Sequence, residues 1–175
     1  KEYVILVDEN DNEVGIAEKM DAHIEPKLHR AFSIFIVNSK GELLLQQRAK
    51  GKYHCPSLWT NTCCSHPRPG ETLERAAHRR LQEEMGFDTA LKEVFSFIYK
   101  AEFDNGLTEM EYDHVFVGRW DGQPKVNLEE VAAYEWVPVS ELTAKIEEEP
   151  DKYTAWFKIA LKNPKLQEQL FNKNE

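Results

Sequence analysis

At 175 residues, 41% hydrophobic and 11% aromatic, the chain is large enough to bury a real core, and its composition argues against disorder. A net charge of −9 argues against a general nucleic-acid surface, and no apolar run approaches the roughly 20 residues that span a bilayer. Cys55, Cys63 and Cys64 are odd in number with two adjacent, a pattern that suits reduced thiols and predicts a cytoplasmic protein.

Residues 3–7 (YVILV) read as a first strand, 8–12 as its turn and 14–16 as a short return. Pro26 then breaks the chain between His23 and His29, two histidines that are a weak signal by themselves. Residues 31–37 (AFSIFIV) are β-rich, and Ser39-Lys40-Gly41 supplies a hairpin-type turn into residues 42–48. Their continuous apolar character predicts a central pair of strands buried on both faces. Arg48 and Lys52 bracket a loop containing Gly51, where two cations suit a solvated surface and an anion site about equally. The loop leads to WTNTCCSHP at residues 59–67, which sets the thiol of Cys64 two residues from the imidazole of His66.

The spacing of Leu73, Ala76, Ala77, Leu81 and Met85 predicts a helix over 72–85, terminated by Gly86. Arg79 and Glu83, and likewise Arg80 and Glu84, are four apart and can pair across a turn; as surface pairs each would contribute under about 1 kcal/mol. Residues 94–103 alternate, with Phe95, Phe97, Tyr99, Ala101 and Phe103 on one side, and Asn105-Gly106 turns the chain back. The return strand puts Glu109 and Glu111 on one face, where adjacent carboxylates want a cation or a proton between them. Residues 134–139 form the last expected strand. Ser140 is expected to cap a helix over 141–148, Trp156 and Phe157 lie on a further helix, and Pro164 introduces a polar tail ending at Glu175. This order predicts a single α+β domain over residues 1–175 rather than alternating βαβ units.

The run Ser65-x5-Glu71-x7-Arg79-Arg80-Leu81-Gln82-Glu83-Glu84-Met85-Gly86-Phe87 closely resembles the Nudix box, G-x5-E-x7-R-E-U-x-E-E-x-G-U with U apolar. Ser65 departs from its opening Gly, and Arg80 from the first Glu of its R-E pair. In a Nudix hydrolase that Glu helps to hold the ions that activate water; an arginine repels such ions and its fork suits phosphate oxygens instead. Together with LHRAFS at 28–33, WTNTCCSHP at 59–67 and the Glu109-x-Glu111 pair, the altered box resembles the type 1 isopentenyl-diphosphate isomerases, a Nudix-fold family.

The resemblance implies a mixed β-sheet sandwiched between helices, with an added N-terminal hairpin and C-terminal helices. It implies reversible conversion of isopentenyl diphosphate to dimethylallyl diphosphate, with a Nudix hydrolase as the alternative and a non-catalytic binding domain as a third class. Cys64 and Glu111, assisted by Tyr99, match the family's proton carriers, and Trp156 its cation-stabilising ring. Lys19, Arg48, Lys52 and Arg80 match positions that grip the diphosphate. His23, His29, His66, Glu109 and Glu111 match the ligands of one divalent ion, Mn²⁺, Mg²⁺ or Zn²⁺. A second ion, Mg²⁺, would join the diphosphate to Glu84 with help from the Cys64 carbonyl. The implied partner is this small-molecule substrate, with no nucleic acid or membrane, acting on a monomer or, alternatively, a homodimer.

Overall fold

The structure, a computed structural model, describes residues 2–52, 54–103 and 105–171. The chain opens on a hairpin of β1 (Tyr3–Val7) and β2 (Glu13–Glu18), whose turn is closed by Asp8: its Oδ1 accepts from the amides of Asn10 and Asn12, each at 2.9 Å. A short helix, α1 (Lys19–Ile24), carries the chain to the long strand β3 (His29–Val37). Then come β4 (Glu42–Arg48), the two short strands β5 (Trp59–Thr60) and β6 (Cys63–Ser65), and α2 (Leu73–Met85). An antiparallel pair follows, β7 (Leu91–Glu102) and β8 (Thr108–Arg119), and then β9 (Val131–Pro138). The described chain ends in α3 (Val139–Glu148), a 3₁₀ turn at Pro150–Lys152, α4 (Ala155–Leu161) and α5 (Pro164–Phe171).

The sheet is mixed and centred on β3. Along one edge β3 runs parallel to β8 in unbroken register, from His29 opposite Glu111 to Val37 opposite Arg119. Its other edge is shared between three strands: β1 meets it at His29, β6 at residues 32–34 and β4 at Val37. The expected hairpin is therefore corrected. Its turn is present, with Gly41 N–H donating to the Asn38 carbonyl at 3.1 Å, but the two strands part after the single pair Val37–Leu43. β4 instead pairs along its length with β9.

Alternation along β3 sorts the core into two layers. Phe32, Ile34 and Ile36 pack with Ala76, Ala77, Leu81 and Met85 of α2 on one face. Phe35 and Val37 pack on the other with Val115 and Val117 of β8, Trp156 and Phe157 of α4, and Leu166 and Leu170 of α5. The sheet thus lies between α2 and the C-terminal helices, as an α+β fold of this kind requires.

Two terminal expectations change. Pro138 occupies the position before α3 and no side chain caps that helix, so Ser140 lies inside the first turn. Pro164 opens a helix rather than a tail: proline is preorganised for a first helical position, and Leu166 and Leu170, four apart, bury one stripe. Residues 172–175 of the expected tail lie outside the described residues.

The end of α2 bears directly on the site. Thr72 caps its start by accepting from Arg75 N–H at 3.2 Å, and Gly86 ends it in the left-handed region at φ +77°. The carbonyls of Glu84 and Met85 accept from the amides of Asn127 and Lys125, both at 2.9 Å. That close approach leaves no room for a side chain on Gly86, where a Cβ would collide with the Lys125 carbonyl oxygen. Gly86→Ala is therefore expected to lower stability by at least about 1–2 kcal/mol, the cost of a left-handed alanine, before any clash is counted. A denaturant midpoint equal to that of the parent protein would refute this account of the helix end.

Candidate functional site

The site is built from cross-strand rows. On β8 the side chains of Glu109, Glu111 and Asp113 share a face with Val115 and Val117, so the apolar stripe under α4 turns acidic as the strand runs back towards its start. Pairing then sets each carboxylate beside its neighbours: Glu111 lies between His29 of β3 and Tyr99 of β7, and Glu109 lies opposite Ala101. Four residues further along β3, Ser33 stands opposite Cys64 of β6. Adjacent cysteines point to opposite faces, so Cys63 is fully buried against α2 while Cys64 packs toward α4. These rows open into a cavity of about 730 Å³ whose wall includes Cys64, His66, Glu109, Glu111 and Trp156.

The expected ligands gather. His23 Nε2 lies 3.1 Å from Glu109 Oε2, His29 Nε2 lies 3.5 Å from Glu111 Oε2, and the rings of His23 and His29, and of His29 and His66, are 5.3 and 6.1 Å apart. Among the described residues no three of these side chains converge in coordination geometry, because the imidazoles face the carboxylates themselves. Their chemistry nevertheless fits a cation. His23 Nδ1 donates to the Lys19 carbonyl at 2.7 Å, and His29 Nδ1 to the Lys27 carbonyl at 3.2 Å. A carbonyl only accepts, so Nδ1 carries the hydrogen in both rings, and Nε2 is the nitrogen that faces the carboxyl group, free to act as a ligand atom in the neutral tautomer. The buried His29 Nε2 has no hydrogen-bond partner among the described residues. Imidazole nitrogens and carboxyl oxygens gathered in a buried site are a donor set that suits a divalent ion.

The carboxylates differ in charge state. Burial acts to raise the pKa of Glu109, but the imidazoles of His23 and His54 that face it outweigh burial and hold the group below the usual carboxylate range. Burial, then the Glu109 charge, push Glu111 well above that range, and burial and Glu111 do the same to Asp113. Ser33 Oγ donates to Asp113 Oδ2 at 2.8 Å.

Cys64 sits in a polar frame. Its Sγ donates to Asn61 Oδ1 at 3.1 Å and accepts from Trp156 Nε1 at 3.0 Å. Asn61 is fully buried, and its amide nitrogen is committed to the carbonyls of Ile34 and Cys63, both at 3.0 Å, so the oxygen has to face the thiol. Thr60 Oγ1 also donates to Asn61 Oδ1 at 2.8 Å. Burial raises the thiol to about 12, so Cys64 carries its proton at neutral pH. Tyr99, buried and raised by the same cause, meets Trp156 edge-on at 6.1 Å. The guanidinium of Arg48 lies over the Trp156 ring, 5.4 Å from its centroid.

The cationic residues line the same cavity: Lys19, Arg48, Lys52 and Arg80. Arg80 does not form an exposed surface pair. Its NH2 contacts Glu84 Oε2 at 2.7 Å and Glu130 Oε1 at 2.6 Å, its NH1 contacts Glu83 at 2.7 Å, and the Glu84 side chain is only 5% exposed. The other oxygen of Glu84 accepts from Gln46 Nε2 at 3.0 Å. Arg79 grips Glu71 through two bonds of 2.8 and 2.9 Å, fastening the turn before α2 to the helix, and also meets Glu83 as its spacing predicts.

Sequence reasoning missed His54, Asn61 and Glu130. Asn61 lies inside a quoted motif, and its distance of three residues from Cys64 was the available signal. Glu130 ties Arg80 to Lys52, whose Nζ is 3.5 Å away, and follows another glutamate in a stretch without periodicity. His54 reaches Glu109 Oε2 at 3.0 Å from a loop, and no spacing marks it.

Comparisons with known proteins identify the family. The NUDIX domain family profile matches residues 27–157, which leaves the N-terminal hairpin and α1, with Lys19 and His23, outside the matched span. Among curated relatives, isopentenyl-diphosphate Delta-isomerase 2 of Photorhabdus laumondii is 59% identical over 90% of this chain and 89% of its own length. The protein of the same name from Aromatoleum aromaticum is 52% identical over 92% and 85%. Among solved structures, the DR0079 protein of Deinococcus radiodurans superposes with a TM-score of 0.73 at 24% identity, covering 90% of this chain and 96% of its own, a likeness of fold. No helix among the described residues is long and apolar enough to cross a membrane. By profile, by fold and by identity over nearly its whole length, the chain belongs to the NUDIX family and, within it, to the isopentenyl-diphosphate Delta-isomerases.

Proposed function

We propose that this chain converts isopentenyl diphosphate reversibly to dimethylallyl diphosphate, as one cytoplasmic domain acting as a monomer, with a homodimer as the alternative assembly. The observation that carries the reading is that Cys64 and Glu111 line one cavity together with the cations of Arg48, Lys52 and Arg80. An unactivated alkene has no acidic proton to remove. The reaction therefore adds a proton at the terminal carbon, passes through a tertiary cation and loses a different proton from C2, with no net change in protons. One group must give and another take, from opposite sides of the hydrocarbon. Burial raises the proton affinity of both Cys64 and Glu111, so each can carry the proton in question, one entering the step with its proton and the other without. Their rows are four residues apart along β3, about 13 Å of extended backbone, and both side chains line the cavity. Tyr99, beside Glu111 in the same row, assists that carboxyl. Trp156 covers the hydrocarbon, shields the cation from water and holds the Cys64 sulfur through its indole N–H.

Lys19, Arg48, Lys52 and Arg80 take the diphosphate. His23, His29, His66, Glu109 and Glu111 would hold one divalent ion (Mn²⁺, Mg²⁺ or Zn²⁺), and Glu84 with the Cys64 carbonyl would hold Mg²⁺ against the diphosphate. Bound there, the ions would neutralise the paired carboxylates and the substrate's charge. Arg80 stands where hydrolysis would need another carboxylate, so the diphosphate leaves unbroken.

Incubation with isopentenyl diphosphate and Mg²⁺ or Mn²⁺, followed by NMR, is expected to yield the allylic isomer with no release of phosphate or pyrophosphate. Phosphate release without isomer would replace this reading with a hydrolase. Cys64→Ala and Glu111→Gln are each expected to slow isomerisation by at least about 10²–10⁴-fold, the usual contribution of a positioned acid or base. Near-full activity in both would remove the acid–base assignment. Asn61→Ala strips the thiol of its acceptor and leaves buried carbonyls without a donor. It should cost on the order of 2 kcal/mol of stability and lower kcat more than it raises KM; an unchanged kcat would mean that the amide only supports the fold.

A further inference from the structure

Glu109 is served by two imidazoles, and only one of them belongs to the ligand set described above. His54, on the loop between β4 and β5, is buried at 7% exposure, and its Nε2 lies 3.0 Å from Glu109 Oε2. His23 Nε2 approaches that same oxygen to 3.1 Å. The two rings cannot serve it alike. Because the Lys19 carbonyl takes the Nδ1 proton of His23, a neutral His23 has no hydrogen to offer at Nε2. A true hydrogen bond to Glu109 Oε2 therefore comes from His54, through Nε2–H.

The ring of His54 is also held in place. It packs edge-on against Phe103 with centroids 5.0 Å apart and lies 5.9 Å from Trp156, while Arg48 NH2 donates to its backbone carbonyl at 3.3 Å. A buried imidazole braced on an apolar side, with its donor on a ligating carboxylate, has the form of an outer-sphere partner that orients a metal ligand.

We propose that His54 is a positioning residue for the metal-binding carboxylate. Its Nε2–H fixes the Glu109 side chain so that the lone pairs it does not use remain directed at the cation shared with His23. The inference rests on Glu109 being a ligand, and it adds a residue that contacts the ion only through that carboxylate. It also couples the ion to the hydrocarbon side of the cavity, since the same ring touches Trp156.

The test is a Mn²⁺ titration of metal-stripped protein, followed by the electron paramagnetic resonance of the free ion, on the parent chain, His54→Leu and His54→Gln. Circular dichroism and the metal-free melting temperature monitor the fold. His54→Leu is expected to weaken Mn²⁺ binding by about 10–100-fold, the usual loss when an outer-sphere partner is removed. His54→Gln, whose amide N–H reaches the Nε2 position, is expected to recover most of that loss. Parent-like affinity in His54→Leu would overturn the inference while leaving the metal site intact. So would a glutamine variant as weak as the leucine one, which would make His54 a ligand itself. Should His54→Leu fail to fold, His54→Gln decides alone: near-parent affinity supports the inference and a tenfold loss overturns it. A parent chain that binds no Mn²⁺ would overturn the metal site and the inference together.

Discussion

The parallel pairing of β3 with β8 is the constraint on which the rest depends. Because the register runs without a break from His29–Glu111 to Val37–Arg119, one alternation on β8 decides two things together. Its inward side chains are valines under α4 and α5 and carboxylates towards the cavity. A slip of one residue would turn Glu109, Glu111 and Asp113 to the opposite face and bring Met110, Tyr112 and His114 in their place. The deep apolar layer at one end of the pair, with Val115 and Val117 against Trp156 and Phe157, makes that slip costly. The core thus enforces the geometry of the site, and the acidic end borrows its precision from the greasy end.

Much of this was legible in sequence because the determining patterns are local. Alternation in residues 94–103 and the Asn105-Gly106 turn after it gave the strand pair, and the spacing from Leu73 to Met85 gave the helix with its glycine stop. Quoted motifs brought Cys64, His66, Arg80 and Glu84 within reach of one another. The carboxylate pair was legible as a problem before it was legible as a site, since two buried acids side by side demand a positive partner.

What escaped depends on contacts far apart in sequence. The turn at Ser39-Lys40-Gly41 was read correctly, yet a turn does not say how long its strands stay together; β6 and β1 claimed the edge of β3, and β5 the edge of β4, that the hairpin would have used. Leu166 and Leu170 are too few to announce a helix, and only the layer beneath them explains it. His54 is defined by an oxygen 55 positions away, and Glu130 by an arginine 50 positions back. Side chains of this kind have no period to betray them.

Arg80 offers a last consequence. Its guanidinium is not waiting with open donors, for Glu83, Glu84 and Glu130 already share it, and Glu130 holds Lys52 as well. Any anion that recruits these two cations enters as a competitor for an occupied place. A single weak charge gains little by evicting a carboxylate that is tethered nearby and always present at high local concentration. A ligand with several adjacent charges can replace Glu130 at both cations in one move. Discrimination against small monoanions is then a property of the resting pocket, set by an internal rival rather than by the shape of the cavity.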